Sequence, residues 1–525
     1  MRKIYCFLLL LLPGMIQAQA LIRDTTFGMN GAVVYTEDGR SSVAHDLICT
    51  PDGKILAAGM EYAQDGNLYY RSFVAKYHAD GRIDSSFGNN GTIVLETNHK
   101  NAAQALALQA DGKLVVAGNE TIIIEQPPGA TIIARPFIAR FMPDGSRDSL
   151  FGNNGVHELS ILDGYVDKEL AAIAVLPDNR IVAGGSVQQA ALSQMMLLCL
   201  LPDGTYDYNF ANSGIGTYTM EQGQSAVLWD MLVQDDGQIL IAGASGNNNL
   251  IQLPDSRFAM SRIQSDGSMD VQFGTQGITV TQISNTQVKA DVATGITRLS
   301  NGNIILAGGS AGVLALAGYD SNGHTDAGFG TGGIINYQDH PISSGVVSNG
   351  QQIFSCGAIA RENGDLDYSI SAFLPNGAID SGSTPEGILR MAVYQRNYQH
   401  ALALQADGKI VTGGSFRDTS SQQGMLLLRL GTATNPTSVT EYNTPLSSAN
   451  IYPNPASDHA VLDWGTNPGT PHPQLRMLNV MGQEVYRAEI KQQRTSFPLP
   501  NIGAGMYMIQ LQDEVNTRVL KLLKK

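Results

Sequence analysis

The chain has 525 residues, 57 of them glycine, with 15% charged residues and a formal net charge of −14. That length allows several domains, or one large array with something smaller attached. The acidic balance repels phosphate backbones and argues against a nucleic-acid partner, and 43% hydrophobic residues with so little charge is not the composition of a disordered chain.

Residues 1–20 read as a secretory signal peptide. Arg2 and Lys3 supply the positive flank, Ile4 to Leu12 the apolar stretch, Pro13-Gly14 a break, and Ala18-Gln19-Ala20 the small residues for cleavage. The apolar run is too short for a stable spanning helix and no later segment is long enough, so the mature chain is expected to hold no transmembrane span. Losing Arg2 and Lys3 with the leader takes the formal charge from −14 to −16. Cys49, Cys199 and Cys356 remain, far apart, odd in number, each inside an apolar strand pattern. They are predicted to be buried free thiols, and with no CxxC there is no metal knuckle or redox pair.

From Leu21 to Gly431 the chain repeats itself. The connector Asp80-Gly81-Arg82-Ile83-Asp84-Ser85-Ser86-Phe87-Gly88-Asn89-Asn90-Gly91 returns around Asp148 and Phe151, Asp207 and Phe210, Asp270 and Phe273, and Asp326 and Phe329. A half copy opens with Asp24 and Phe27, and a worn copy at Asp380 lacks the Phe. These inner aspartates step by 60, 64, 59, 63, 56 and 54 residues, the mark of a repeat architecture.

In the second unit, Gly91 to Glu96 reads as one strand, Ala103 to Gln109 as a second, Leu114 to Gly118 as a third and Pro136 to Met142 as a fourth. Ala110-Asp111-Gly112-Lys113 reads as a tight primed hairpin turn, and 119–135 as a variable loop. Third strands end alike, in Ala57-Ala58-Gly59, Ala183-Gly184-Gly185, Ala242-Gly243 and Thr412-Gly413-Gly414.

Seven such units predict an all-β fold, a seven-bladed β-propeller of four-stranded blades over 21–431. One small sheet cannot hide both faces, but a ring stacks each face on its neighbour and shields the edges. An open β-solenoid is the competing arrangement, since closure is not written in the sequence. The repeated residues have structural work to do. Asp84, Asp148, Asp207, Asp270 and Asp326 are predicted to accept amides two or three residues on. Phe87, Phe151, Phe210, Phe273 and Phe329 are predicted to plug between adjacent blades. A recurring Asp could instead mean calcium, but Asp-Gly-x-x-Asp is not the twelve-residue cation loop and its charge density is low.

The unit Asp-Gly-x-x-Asp-x-x-Phe-Gly-x-x-Gly, followed by a strand and Ala-Leu-x-x-Asp-Gly-Lys-Ile-x-x-Gly-Gly, resembles the delta-60 repeat of secreted bacterial proteins. The resemblance covers nearly all of 21–431 and implies a propeller-like module with no established activity, so it brings no catalytic residue with it.

Residues 432–449, rich in Thr, Ser, Asn and Pro, read as a linker. Beyond them, short alternating strands with Gly and Pro turns over 450–525 suggest a small C-terminal β-sandwich. Tyr452-Pro453-Asn454-Pro455, Gly482 followed by Val485, Gly505-Met506-Tyr507 and the basic end Lys521 to Lys525 resemble the type A sorting domain of the type IX secretion system of Bacteroidota. That resemblance implies export across the outer membrane by this machinery, then cleavage of the tail and release or anchoring at the cell surface.

Gly308-Gly309-Ser310-Ala311-Gly312 matches GxSxG, but the nucleophile elbow needs a strand-to-helix turn and none follows. The nine histidines are scattered without an HExxH or close ligand pair. No catalytic residue, cofactor or metal ligand is therefore assigned. The units differ most in the segments opposite the connectors: 60–71, 119–135, 163–168 and 246–257. Function tends to sit on variable loops over a rigid scaffold. Tyr62, Tyr69, Tyr70 and Tyr165 are the candidate contacts for an extracellular glycan or protein ligand. The chain is expected to be a monomeric binding and scaffold module. A secreted propeller enzyme, glycoside-acting or quinone-dependent, with a site in the central channel is the alternative.

Overall fold

The computed structural model describes residues 20–432 and 450–524, apart from 37–39, 64–68, 98, 127–128, 163, 166–167, 190, 248–254, 285–289, 385–386 and 419–422 in the first stretch, and 453–455, 464–473, 480–483, 491, 493, 500–502, 504 and 513–516 in the second. The predicted signal peptide apart from Ala20, all but one residue of the predicted linker, and Pro453-Asn454-Pro455 lie outside the described residues. The chain divides into two compact units, Met1–Thr434 and Asn435–Lys525.

The first unit opens with β1 (Leu21–Arg23) and β2 (Ala32–Tyr35). An antiparallel sheet follows from β3 (Arg40–Cys49), β4 (Ile55–Ala63), β5 (Tyr70–Tyr77) and β6 (Thr92–Leu95). The next comprises β7 (Lys100–Leu108), β8 (Leu114–Gln126), β9 (Gly129–Phe141) and β10 (Val156–Glu158). Then come β11 (Lys168–Val175), β12 (Ile181–Gln189), β13 (Leu192–Leu200) and β14 (Ile215–Tyr218). A fourth sheet holds β15 (Ser225–Val233), β16 (Ile239–Gly246), β17 (Arg257–Ile263) and β18 (Ile278–Thr281). A fifth holds β19 (Asp291–Arg298), β20 (Ile304–Ser310), β21 (Val313–Tyr319) and β22 (Ile334–Tyr337).

The last sheet has nine strands in two meanders. One is β23 (Gly345–Ser348), β24 (Ile353–Ala360), β25 (Leu366–Phe373) and β26 (Ile388–Met391). The other is β27 (Arg396–Leu404), β28 (Ile410–Arg417) and β29 (Gln423–Thr432), completed by β1 and β2. A single parallel bridge, Leu366 to Arg396, joins the two meanders. Among the described residues the one helical element is a 3-10 turn at Ser160–Leu162.

Sheet and sequence repeat are out of step by one strand. The strand after each connector pairs back on the strand before it: β6 lies against β5, with Ser72 opposite Leu95. The same offset lets β2, which follows the half connector at Asp24, pair with the far end of the unit, Ala32 opposite Leu428. Phe27, Leu47 and Phe73 share one core with Val411 and Leu427, and Gln405 Nε2 donates to the Gly53 carbonyl at 2.8 Å. The last sheet thus packs on the first, as a ring requires and an open solenoid does not.

Two local expectations are corrected. The Asp-Gly hairpins are three-residue loops rather than primed turns: Gly53 takes φ +82° while Asp52 is not among the left-handed residues. The Thr50 amide donates to the Lys54 carbonyl and the Gly53 amide to the Thr50 carbonyl, a type I turn closed by a left-handed residue. In the third sheet Asn179 takes that role at φ +72°. The supposed loop 119–135 is largely strand, with Ile122 opposite Ile133 and Ile123 opposite Ile132, because its β-branched runs pair once a neighbour is available.

The second unit has a three-stranded sheet of β30 (Asn450–Tyr452), β31 (His459–Asp463) and β34 (Arg494–Pro498), and a four-stranded sheet of β32 (Gln474–Leu478), β33 (Glu484–Glu489), β35 (Gly505–Gln512) and β36 (Thr517–Lys524). Leu462 and Phe497 from the first sheet and Leu475, Ile509 and Leu522 from the second pack in one core, the arrangement of a small sandwich.

Candidate functional site

The recurring connector is consumed by the frame. One carboxylate oxygen of each inner Asp accepts the amide two residues on: Ser86 at 3.3 Å, Leu150 at 3.2 Å, Asn209 and Gln272 at 3.1 Å, and Gly328 at 2.9 Å. The other oxygen takes a side-chain donor: Lys54 to Asp84 at 2.9 Å, Arg140 to Asp148 at 2.9 Å, Arg180 to Asp207 and Arg262 to Asp270 at 2.8 Å, and Asn303 to Asp326 at 2.8 Å. The amide half follows from the sequence; the donors do not. Lys54, Arg180 and Asn303 directly follow the hairpin's left-handed residue, whereas Arg140 and Arg262 come from the strand before the connector.

The phenylalanines lie between sheets as predicted. Phe87, Phe151, Phe210, Phe273 and Phe329 are all at most 2% exposed. A Cβ on Gly204 of the following connector would sit 2.5 Å from the Phe151 ring, so glycine there makes room for the plug. Arg140 lies 4.4 Å over Phe151 and Arg262 4.8 Å over Phe273, adding cation–π attraction. The Gly88 amide reaches the Asp144 carbonyl at 2.7 Å, and Gly274 reaches Asn322 at 2.7 Å, so these connectors are bonded to the next ones along.

The residues that the frame leaves over gather elsewhere. In six sheets the first strand carries a one-residue bulge, at His45, Gln104, Ala171, Trp229, Thr294 and His400. Each lies eight residues before the left-handed residue of its hairpin. The bulge explains the recurring glycine of the second strand, since a Cβ on Gly59, Gly185, Gly243 or Gly308 would come within 1.9 Å of the bulged strand's carbonyl. Bulges re-aim side chains, and here they do so at the same level in successive sheets.

Those side chains converge on one cavity of about 200 Å³, lined by the first strand of every sheet in the unit. The six residues His45, Asp46, Gln104, Trp229, Asp230 and His400 line it beside the hydroxyl residues Thr294 and Ser344, and no Lys or Arg lines it. Sequence reasoning missed all six. The signal was available, as the residue eight positions before each hairpin's Gly or Asn varies from copy to copy while its surroundings repeat.

Both carboxylates also tie sheets together. Asp46 accepts its neighbour Leu47 and, from the next sheet, Leu106, both at 2.7 Å. Asp230 accepts Met231 at 2.8 Å and, from the next sheet, Ile296 at 3.0 Å. Burial pushes Asp46 up to about 6 despite these amides. Burial, with a further contribution from the charge of Asp46, pushes Asp230 up to about 7. His45 donates to the Ala103 carbonyl through Nδ1 at 2.8 Å, and burial lowers its pKa. His400 lies edge-on to it at 6.1 Å between ring centroids, and burial and His45 push it down to about 4. The Gln104 and Trp229 side chains make no hydrogen bond among the described residues, and Trp229 is 48% exposed.

The candidate tyrosines are partly buried, and Tyr62, Tyr69 and Tyr70 are hydrogen-bonded. Tyr62 donates to Gln423 across the junction of last and first sheets. Tyr69 donates to the Thr97 carbonyl at 2.8 Å, and Tyr70 shares a 2.7 Å bond with Thr121. Tyr165 packs against the core shared by its sheet and the one before. Ser310 of the GxSxG match is buried, donates to Asp291 at 2.6 Å, and leads through left-handed Ala311 and Gly312 into a hairpin. Cys49, Cys199 and Cys356 are free, and burial pushes each thiol up to about 12. Among the described residues no three His, Cys, Asp or Glu groups could hold a metal ion together.

Segments 50–87, 109–151, 176–210, 234–273 and 405–432 match a β-propeller domain of unknown function (DUF5122). Residues 450–525 match the secretion system C-terminal sorting domain. No curated protein matches the chain in sequence. Among solved structures it is similar to polysaccharide lyase Uly1, at 13% identity and TM-score 0.43 over 79% of this chain and 98% of that one. It is also similar to a protein of unknown function from Dyadobacter fermentans, at 10% identity and TM-score 0.40 over 79% and 99%. An α-L-arabinanase from Penicillium chrysogenum gives 12% identity and TM-score 0.37 over 62% and 92%. At these scores the likenesses bear on neither substrate nor activity. Repeated four-stranded sheets, matched repeats and a matched tail together identify the chain as a β-propeller repeat protein that ends in a sorting domain of the type IX secretion system, which directs it to the cell surface or beyond.

Proposed function

We propose that this chain is a secreted or cell-surface binding module, a ring of seven blades whose polar channel and adjoining variable segments meet an extracellular ligand. Residues 1–20 carry it across the inner membrane, and residues 450–525 engage the secretion machinery. One observation supports this reading above others: the connector groups are spent between sheets, whereas Gln104 and Trp229 in the cavity have no hydrogen-bond partner among the described residues. A cleft with an exposed aromatic ring and a few convergent polar groups is the usual form of a small-ligand site. The purified full chain on a glycan array is expected to give discrete signals that Trp229→Ala abolishes. Signals unchanged in that variant count against the channel.

A second reading, hydrolysis of a glycosidic bond, has one feature in its favour. Asp46 and Asp230, raised to about 6 and about 7, have the character of acids held protonated near neutrality. Against it, each oxygen of both carboxylates already accepts a backbone amide. Turnover of aryl glycosides by the full chain, lost in Asp46→Asn and Asp230→Asn, would favour the hydrolase.

A further inference from the structure

Buried acids in the first unit are generally matched by a base. Glu61 has Arg71, Glu120 has Arg135, Asp367 has Arg361, and Asp84, Asp148, Asp207 and Asp270 have the partners given above. Asp291 and Asp380 are buried without a base among the described residues and accept neutral donors instead, the Ser310 hydroxyl on Asp291 and the Gln352 amide and Ser383 hydroxyl on Asp380. The two channel aspartates also lack a base, and they line the cavity. Neither makes an ion pair among the described residues, and the cavity they share contains no Lys or Arg.

Burying a charge without a counter-charge is unfavourable, and proteins resolve it by pairing or by holding a proton. Walls of low dielectric concentrate the field of like charges that face one cleft. The other titratable groups facing the cavity are His45 on β3 and His400 on β27, both with lowered pKa, so neither is a cation at neutral pH. The bulge positions of β7, β11 and β19 hold Gln104, Ala171 and Thr294, and β23 contributes Gly345, none of which titrates. The partly exposed Trp229 indole, the best of the aromatic rings for a cation, lines the same space.

From the cavity, its unpaired carboxylates and the open Trp229 ring, we propose that the channel binds a small ligand through an ammonium group, seated between Trp229 and the carboxylates of Asp46 and Asp230. The proposal rests on the binding reading above and names its ligand chemistry. A primary ammonium supplies the counter-charge that the carboxylates lack, and its N–H groups donate to the second lone pairs of oxygens that each already accept one backbone amide. Metal cations are disfavoured because no ligand trio is assembled among the described residues.

The test uses the full chain with Trp464→Phe, which leaves Trp229 as its single tryptophan. Propylammonium and its neutral isostere 1-propanol are titrated at pH 8 and pH 5, with Trp229 fluorescence and calorimetry as readouts. Propylammonium is expected to saturate at pH 8, with at least tenfold weaker binding at pH 5, where both aspartates are protonated, and in Asp230→Asn. 1-Propanol is expected to give no saturable response. Equal responses to the two compounds, no saturation, or binding indifferent to both pH and Asp230→Asn overturns the assignment. The pH arm uses the unsubstituted channel and so stands even if the variant does not fold. No propylammonium binding beside array signals that need Trp229 overturns the ammonium site and leaves the binding module standing; loss of both removes both.

Discussion

The carboxylate of Asp230 accepts the backbone amide of Ile296 at 3.0 Å, so a side chain on one inner strand completes the hydrogen bonding of the next. An acid used in this way, away from any base, has a pH signature. Asp230 is raised to about 7 and Asp46 to about 6 from a usual value of 3.8. Between about pH 4 and pH 7 the folded chain holds protons that the unfolded chain has released, so stability from these groups falls as pH rises. Asp230→Asn removes its share of that slope. Its melting temperature relative to the parent is expected to climb from pH 4.5 to pH 8, and a difference that stays constant would contradict the assignment.

Asp84 carries the opposite sign. The Ser86 hydroxyl and the Lys54 ammonium hold it at about 2, against a usual 3.8. Its contribution is complete above about pH 4 and fades as pH falls toward 2. In acid titrations followed by circular dichroism, Asp84→Asn is expected to shift the unfolding midpoint to higher pH than the parent. An unchanged midpoint would show that the connector Asp is not an anchor.

Phe151 is fully buried between the connector of its own sheet and Gly204 of the next, with Arg140 above its ring. Removing so large a buried ring costs roughly 3–5 kcal/mol. Phe151→Ala should lower the urea midpoint accordingly. A loss below about 1 kcal/mol would mean that the sheets close over the gap.

Gly185 has no left-handed backbone, so the argument for glycine there is one of contact. A Cβ would lie 1.9 Å from the Glu169 carbonyl at the bulge. Gly185→Ala is expected to destabilise by about 1–3 kcal/mol, the range for overpacking. Gly408, with nothing near its Cβ but φ +82°, should tolerate Asn, which adopts that conformation. Denaturant titrations of the two variants check the contrast.

Much of the frame was legible because it recurs. Asp84 to Gly91 and its copies disclosed the period, the Phe plugs and the amide-accepting aspartates. Strand phase was not legible: Thr92–Leu95 carries no mark of whether it pairs forward or back, which is a tertiary choice. The loop 119–135 misled because β-branched runs form strand only when a partner such as Ile133 lies opposite Ile122. The cavity was hidden for a different reason. His45, Gln104, Trp229 and His400 share a repeat position but not one residue type, so a search for sameness passes over them.

A repeated frame holds an individual channel, and one measurement separates the two directly: glycan-array signal per folded molecule for Phe151→Ala and Trp229→Ala, with folded fraction taken from thermal unfolding. Phe151→Ala is predicted to lose stability and keep the signal, and Trp229→Ala to keep stability and lose it. The reverse pattern, binding lost with Phe151 and untouched by Trp229, would contradict the account.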